Sequence, residues 1–386
     1  MTKSICADTR LPQNTLQGNI DGLEGLVDLR YLYLGSNELA EYLDPELFLV
    51  NLGMIEEIDI SNNLFYGDSF PVGLMTKPHL KVLDMSSNGL RGSLPENFPA
   101  NSVLEVLEID GNAFNSTIPS SIDSLVSLTH LDLSQNSFTG AIPDRFVNLR
   151  KLTYLALGEN DFVAGTIPAF LSSFTELREL SLAKCNLVGE IPSWVDILSS
   201  LRFLNLQANR LHGTVPQQLW DLPDLSILLL TENNLNGTMP EQMSNIQGLS
   251  KWQLLYFMCW HFINLFAQPS HFSPFDALDY TAEILALSDN SFTGEADAIC
   301  VSASSLEALS FDCEKVGCSS ECCNTCCAEV VGTDSSSCFS KQLMMALGRE
   351  QDNWEHKAQS NAYSFSPGIV YSESVTDRSA KGVATP

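Results

Sequence analysis

Thiols, carboxylates and side-chain amides are the groups in this 386-residue chain whose spacing could do chemistry. Of eleven cysteines, Cys313, Cys318, Cys322, Cys323, Cys326 and Cys327 crowd into fifteen residues, flanked by Cys300 and Cys338. That density belongs to a disulfide-stapled unit in an oxidising compartment. Cys323 and Cys326 also have the CxxC spacing of a zinc site, but doubled cysteines suit zinc loops less well, and no histidine lies nearby before His356. Disulfide bonding is therefore the expectation for all eight, with connectivity open. The histidines (His79, His130, His212, His261, His271 and His356) are scattered and lack metal spacing, and no GxGxxG, phosphate loop or GxSxG occurs. No catalytic residue, cofactor or metal site is expected. The carboxylates are plentiful, 47 acidic residues against 20 basic for a net charge of -27, which makes nucleic acid and anionic membranes poor partners.

Where those carboxylates stand depends on a phrase carried by asparagine. The chain reads LTHLDLSQNSFTGAIP around Asn136, LRFLNLQANRLHGTVP around Asn209 and LSILLLTENNLNGTMP around Asn233, a shared LxxLxLxxNxLxGxIP. The asparagine position is held by Asn14, Asn37, Asn63, Asn88, Asn112, Asn136, Asn160, Cys185, Asn209, Asn233 and Asn290, at spacings of 23 to 26 residues and then 57. A period of this length is that of stacked coils, none of which can bury its apolar face alone. LxL predicts a short strand with leucines inward. The asparagine amide can serve adjacent coils, since it has two donors and an acceptor, and Cys185 can stand in as a small buried residue. The glycine permits a bend, and the proline suits the first position of a short helical turn.

The LxGxIP extension resembles the plant-type leucine-rich repeat of receptor-like kinases, receptor-like proteins and polygalacturonase inhibitors, from about Leu11 to Phe311. The fold expected is an α/β, right-handed leucine-rich-repeat solenoid, with a parallel concave β-sheet and short 3-10 or helical turns on the convex side. The resemblance implies recognition of a protein, peptide or glycan ligand on the concave face, in a receptor-like or secreted protein. The alternatives are an extracellular structural, adhesive or enzyme-inhibiting protein, and a cytosolic scaffold. The cysteine cluster resembles the C-terminal cap of leucine-rich-repeat proteins of diatoms.

On each strand the outward residues precede the ladder position by seven, six, four, two and one. Those positions yield the candidate ligand-binding residues: Tyr31, Tyr33, Glu56, Glu57, Asp59, Asp84, Glu105, Glu108, Asp110, Asp132, Tyr154, Arg178, Arg202 and Phe203. The acidic half would steer a basic or cationic ligand, calcium included, and the aromatics would anchor partners. Sequons at Asn115 (NST) and Asn236 (NGT) both fall three residues after a ladder asparagine, so glycans there would close one edge of a secreted solenoid.

The expected organisation is a remnant of an N-terminal cap (1–10), the solenoid (11–251), a non-repeat insertion (252–284), a last repeat (285–312), a cysteine-rich cap (313–338) and a disordered tail (339–386). The insertion reads as translated intron in phase, as an island between coils, or as a membrane segment, for which its apolar run at 252–267 is short. No secretory leader is legible at Met1, yet the cysteine usage is extracellular, so a missing N-terminus is expected. A membrane would enter only through an anchor missing from this chain; oligomeric state is not legible.

Overall fold

The first apolar residue of each LxL unit and its two neighbours make a short strand, as in Tyr31–Tyr33 and His130–Asp132, and in the computed structural model these strands belong to one parallel sheet of twelve added in sequence order, from Asp8–Arg10 to Leu309–Ser310. The structure describes residues 8–238, apart from Asp21, Gly22, Glu24 and Leu47, and beyond them the strands Ile284–Ala286, Ser291–Glu295, Leu309–Ser310 and Val316–Gly317. The chain is thus the expected leucine-rich-repeat solenoid of α/β class. Asp8–Arg10 already pairs with Tyr31–Tyr33, so the sheet starts before the boundary expected at residue 11. Ile227–Leu229 takes Ile284–Ala286 as its next partner, which carries the sheet across the long gap in the phrase.

The ladder amides close the coils. Asn136 donates through Nδ2 to the Ile109, Leu133 and Ser134 carbonyls at 3.0, 3.3 and 3.0 Å, and its Oδ1 accepts the Phe114 N–H at 3.0 Å. One side chain thereby satisfies its own coil and the one before it. The same arrangement recurs at Asn37, Asn63, Asn88, Asn112, Asn160, Asn209 and Asn233. Among the described residues Asn14, with exposed hydrogen bonds, reaches the Leu11 and Pro12 carbonyls of its own coil. At Cys185 the thiol makes the weaker contacts, 3.4 Å to the Leu157 carbonyl and 3.7 Å to that of Ala183. The side chain of Asn290 lies outside the described residues.

The residue before each ladder position is left-handed, with φ between 43° and 61° at Gln13, Ser36, Asn62, Ser87, Gly111, Gln135, Glu159, Lys184, Ala208 and Glu232. Only one of these is glycine, so the amide ladder holds the others in a conformation that their Cβ resists.

After the ladder, the chain makes a second layer of strands. One flanking sheet joins Tyr66–Gly67, Gly89–Gly92, Ala113–Thr117, Ser137–Gly140 and Asp161–Phe162; another runs from Val188–Gly189 through Arg210–Thr214 and Asn234–Thr238 to Val316–Gly317. The break falls at the Cys185 coil, where one isolated bridge, Gly165 to Leu187, spans it. The phrase glycine ends these strands: at Gly92, φ is 93° and a Cβ would meet the Asp68 carbonyl oxygen at 2.0 Å. Ser116 takes φ 74° at the position where the neighbouring coils have Gly92 and Gly140.

The proline that follows occupies the N-cap, one residue earlier than expected. Pro119, Pro143, Pro168 and Pro192 each have ψ between 126° and 147° and precede the five-residue 3-10 helices Ser120–Ser124, Asp144–Asn148, Ala169–Ser173 and Ser193–Ile197. Its ring still sets φ, but the extended ψ is what turns the chain out of the flanking strand. Inside, the leucines are joined by a phenylalanine run in which Phe114 and Phe138 stack at 6.4 Å and 5°.

Two stability outcomes follow. Asn136→Ala leaves four backbone partners unserved and costs about 3 kcal/mol or more, whereas Cys185→Ala costs about 1 kcal/mol; urea midpoints check this, and equal losses would contradict the ladder argument. Ser116→Gly relieves the left-handed strain and raises stability by roughly 0.5–1 kcal/mol in the same titration, opposite to the usual sign for glycine placed in a strand.

Candidate functional site

Unbroken register puts the candidate residues in rows across the concave sheet. Tyr31, Glu57, Val82, Val106, His130, Tyr154, Glu179, Phe203 and Ile227 form one row. Tyr33, Asp59, Asp84, Glu108, Asp132, Ala156, Ser181, Asn205 and Leu229 form the row two residues on. Neighbours within a row are one strand spacing apart, about 4.8 Å, so large side chains cover one another. Tyr33, Tyr154 and Phe203 are consequently buried, and the aromatic anchors expected there are packed into the face. Tyr31 is half-buried, while Glu105, Arg178 and Arg202 are exposed and Glu56, Glu57, Glu108 and Asp110 partly so.

The aspartates divide by partner. Asp59, Asp84 and Asp132 each accept the backbone N–H of the serine two residues on, Ser61, Ser86 and Ser134, at 3.0, 2.9 and 2.8 Å, and each also accepts that serine's hydroxyl. The D-x-S triplet was present in the phrase as DIS, DMS and DLS; these serines, absent from the expected site, are its structural half. Tyr154 donates its hydroxyl to Asp132 at 2.9 Å, and its ring stacks on His130 at 4.2 Å and 7°. Tyr33 donates to Glu57, and Arg30 pairs with Glu56 at 3.1 Å.

Burial and crowding of like charge act together here. Burial pushes the Asp84 carboxyl up to about 6, against the hydrogen bonds from Ser86. Asp110 is raised well above the usual range, first by burial and then by the charges of Asp132 and Asp84; Asp132 is raised by burial. Burial lowers His130 to about 4, so the imidazole is neutral at pH 7. Among the described residues no group of three or more His, Cys, Asp or Glu is arranged to hold a metal ion, and no helix is long and apolar enough to cross a membrane. Asn115 and Asn236 are exposed on the flanking strands. The side chains of Cys300, Cys313, Cys318, Cys322, Cys323, Cys326, Cys327 and Cys338 lie outside the described residues, as does most of the insertion and the tail.

Family models described as leucine rich repeat match residues 78–138, 102–162 and 176–198. A search of curated proteins finds no match to this sequence. Among solved structures, a TDR receptor is similar with 26% identity and a TM-score of 0.61 over 79% of this chain and 47% of its own. The plant peptide hormone receptor RGFR1, in complex with RGF2, aligns with 22% identity and a TM-score of 0.56 over 79% of this chain and 50% of its own. An LRR protein of Leptospira interrogans has 25% identity and a TM-score of 0.53 over 78% and 72%. The chain spans about half the length of the two receptors it resembles.

Asp84 and His130 make opposite contributions to stability with pH. The folded state holds the Asp84 proton more tightly than the unfolded chain, so its contribution falls as pH rises from about 4 through about 6. The folded state holds the His130 proton less tightly, so its contribution is complete above about 6.5 and is lost as pH falls toward about 4. Asp84→Asn is expected to make stability rise more steeply with pH between 4 and 6, and His130→Phe to make it fall more steeply. Urea midpoints at stepped pH measure both; parallel curves for the two variants would refute the assignment.

Proposed function

We propose that this leucine-rich-repeat solenoid is a non-catalytic recognition module that binds an extended, basic peptide or peptide segment along its concave face, at the cell surface or outside the cell. The observation that carries the reading is the zoning of the reachable side chains. Glu56, Glu57, Glu105 and Glu108 make the reachable side chains of the early coils mainly carboxylate, with Arg30 paired to Glu56 and exposed Lys81 on the coil between Glu56 and Glu105, whereas Arg178 and Arg202 stand exposed over later coils. A ligand laid across the strands meets a fresh side chain at every strand spacing, about 4.8 Å, which suits a chain rising about 3.3 Å per residue better than a compact small molecule. Likeness to receptors of peptide hormones supports a peptide over a glycan, and their ectodomain character supports the extracellular placing.

The buried aspartates serve this surface indirectly. Asp59, Asp84 and Asp132 are bound to their serines, so they shape the floor, and the carboxylates above them are the ones a ligand would meet. Contact strength would come from charge and hydrogen bonding across a polar floor, with steering at long range by the net charge of -27.

Biolayer interferometry of the full chain against arrays of extended basic peptides, acidic peptides and neutral oligosaccharides tests the reading. Basic peptides are expected to be retained, with affinity about ten-fold lower in Glu105→Gln/Glu108→Gln and falling as salt is raised. Retention that neither the variant nor salt changes, or retention of oligosaccharides alone, would overturn it.

A further inference from the structure

Two exposed asparagines on the flanking sheets share one geometry that the concave-face reading does not use. We propose that Asn115 and Asn236 are sites of N-linked glycosylation, and that glycans there close the flanking sheets to macromolecular partners; both clauses rest on the extracellular reading. Asn115 lies on the strand Ala113–Thr117 and Asn236 on Asn234–Thr238, each three residues past a ladder asparagine. Both are exposed, and so are Thr117 and Thr238 two residues on. Each asparagine and the threonine two residues on are both open to solvent, as a sequon must be to be read.

The middle residue is left-handed in both cases, φ 74° at Ser116 and 106° at Gly237, so each sequon sits on a bend at the end of a flanking strand. The immediate neighbours are mostly polar and neutral, with the exposed Arg91–Asp68 ion pair beside the first site, since Arg91 is in register with Ala113. Asn115 is flanked by Ala113 and Thr117 on its own strand and by Ser137 and Thr139 on the next, all exposed. Asn236 is flanked by Asn234 and Thr238 and by exposed His212 and Thr214. Within a chain of net charge -27, a sugar core laid over Ser137 and Thr139, or over His212 and Thr214, covers no carboxylate. The sites are five coils apart, which at one strand spacing per coil is about 24 Å. Two glycans at that separation shield the stretch between them and leave the concave rows, on a different face, open.

The modification joins Asn Nδ2 to the anomeric carbon of a lipid-pyrophosphate-linked oligosaccharide. The C–N bond forms as the anomeric C–O bond to pyrophosphate breaks; the lipid pyrophosphate leaves and Nδ2 gives up one proton.

The test is intact mass and glycopeptide mapping of the full chain directed through a eukaryotic secretory pathway. The parent is expected to carry two glycans, Asn115→Gln and Asn236→Gln one each, and the double variant none. Thr117→Ala is expected to remove the first glycan while keeping its asparagine, Thr117→Ser to restore it, and Ser116→Gly to keep it with a more stable fold. A secreted, folded parent without glycan at either asparagine, or a glycan that survives Thr117→Ala, overturns the assignment. Glycans on the secreted chain, with none on the protein from its own cells, would uphold the sites and instead refute the extracellular reading.

Discussion

A buried amide that must serve two coils at once is the constraint on which the rest of this molecule depends. At Asn37, Asn63, Asn88, Asn112, Asn136, Asn160, Asn209 and Asn233 the amide reaches three carbonyls and at least one N–H, so a single side chain serves the end of the strand before it. Those backbone groups are interior, and leaving them unserved would cost more than any one leucine contributes. The strand and the ladder turn therefore cannot shift register without losing a set of bonds, and the coil's changes in length fall elsewhere, so the rows of the concave sheet stay aligned from Tyr31 to Ile227. It also explains how Gln, Ser, Glu, Lys and Ala are all held left-handed just before the ladder: the amide network offsets the backbone strain.

The coil that lacks the amide shows what the ladder does by its absence. Cys185 is fully buried and fills the volume, but a thiol is a weak donor and a weaker acceptor. Asn209 compensates from the next coil, where its Oδ1 takes the N–H groups of both Cys185 and Leu187. Asn186, itself left-handed, donates to the Phe162 carbonyl at 3.1 Å. Even so, the flanking sheet divides there, whereas the concave sheet does not. The flanking layer also divides between Glu38–Leu39 and Tyr66–Gly67, where the ladder asparagines are intact and a Tyr42–Tyr66 bridge spans the gap, so the flanking strands are the looser layer, while the concave strands hold each other through their own pairing and leucines.

The repeat made the fold legible because period and residue type coincide: leucine at the strand, asparagine at the turn, proline at the helix cap. What the phrase concealed is set by conformation shared among unlike residues. The left-handed position is occupied by ten residues of several types, so no residue type announces it, and Ser116 hides a glycine-like bend behind an ordinary side chain. The flanking strands carry no alternation of their own that differs from the rest of the phrase. At the candidate site, outward-facing residues could be counted from the ladder, but facing outward is not the same as being reachable. Tyr154 points outward from its strand and is buried, because His130 stacks on one side of it and Glu179 occupies the next strand. The density of neighbours across a sheet is a three-dimensional quantity that spacing along the chain does not contain.

That distinction bears on how an acidic concave face can remain folded at all. Adjacent strands place Asp84, Glu108 and Asp132 in direct register, with Asp110 close enough for its carboxyl to feel two of them. Full ionisation of such a row, about one strand spacing between members, would be strongly unfavourable in a partly dry surface. The structure answers with serine donors beneath two of the three and with protons held above the usual carboxylate range at Asp84, Asp110 and Asp132. The glutamates at 56, 57, 105 and 108 are half-exposed or exposed, where water lowers the cost of a carboxylate. The same physics that keeps the floor from repelling itself leaves the outer carboxylates as the accessible ones, so on the proposed reading the stability of the sheet and the placing of its binding charge would have one cause.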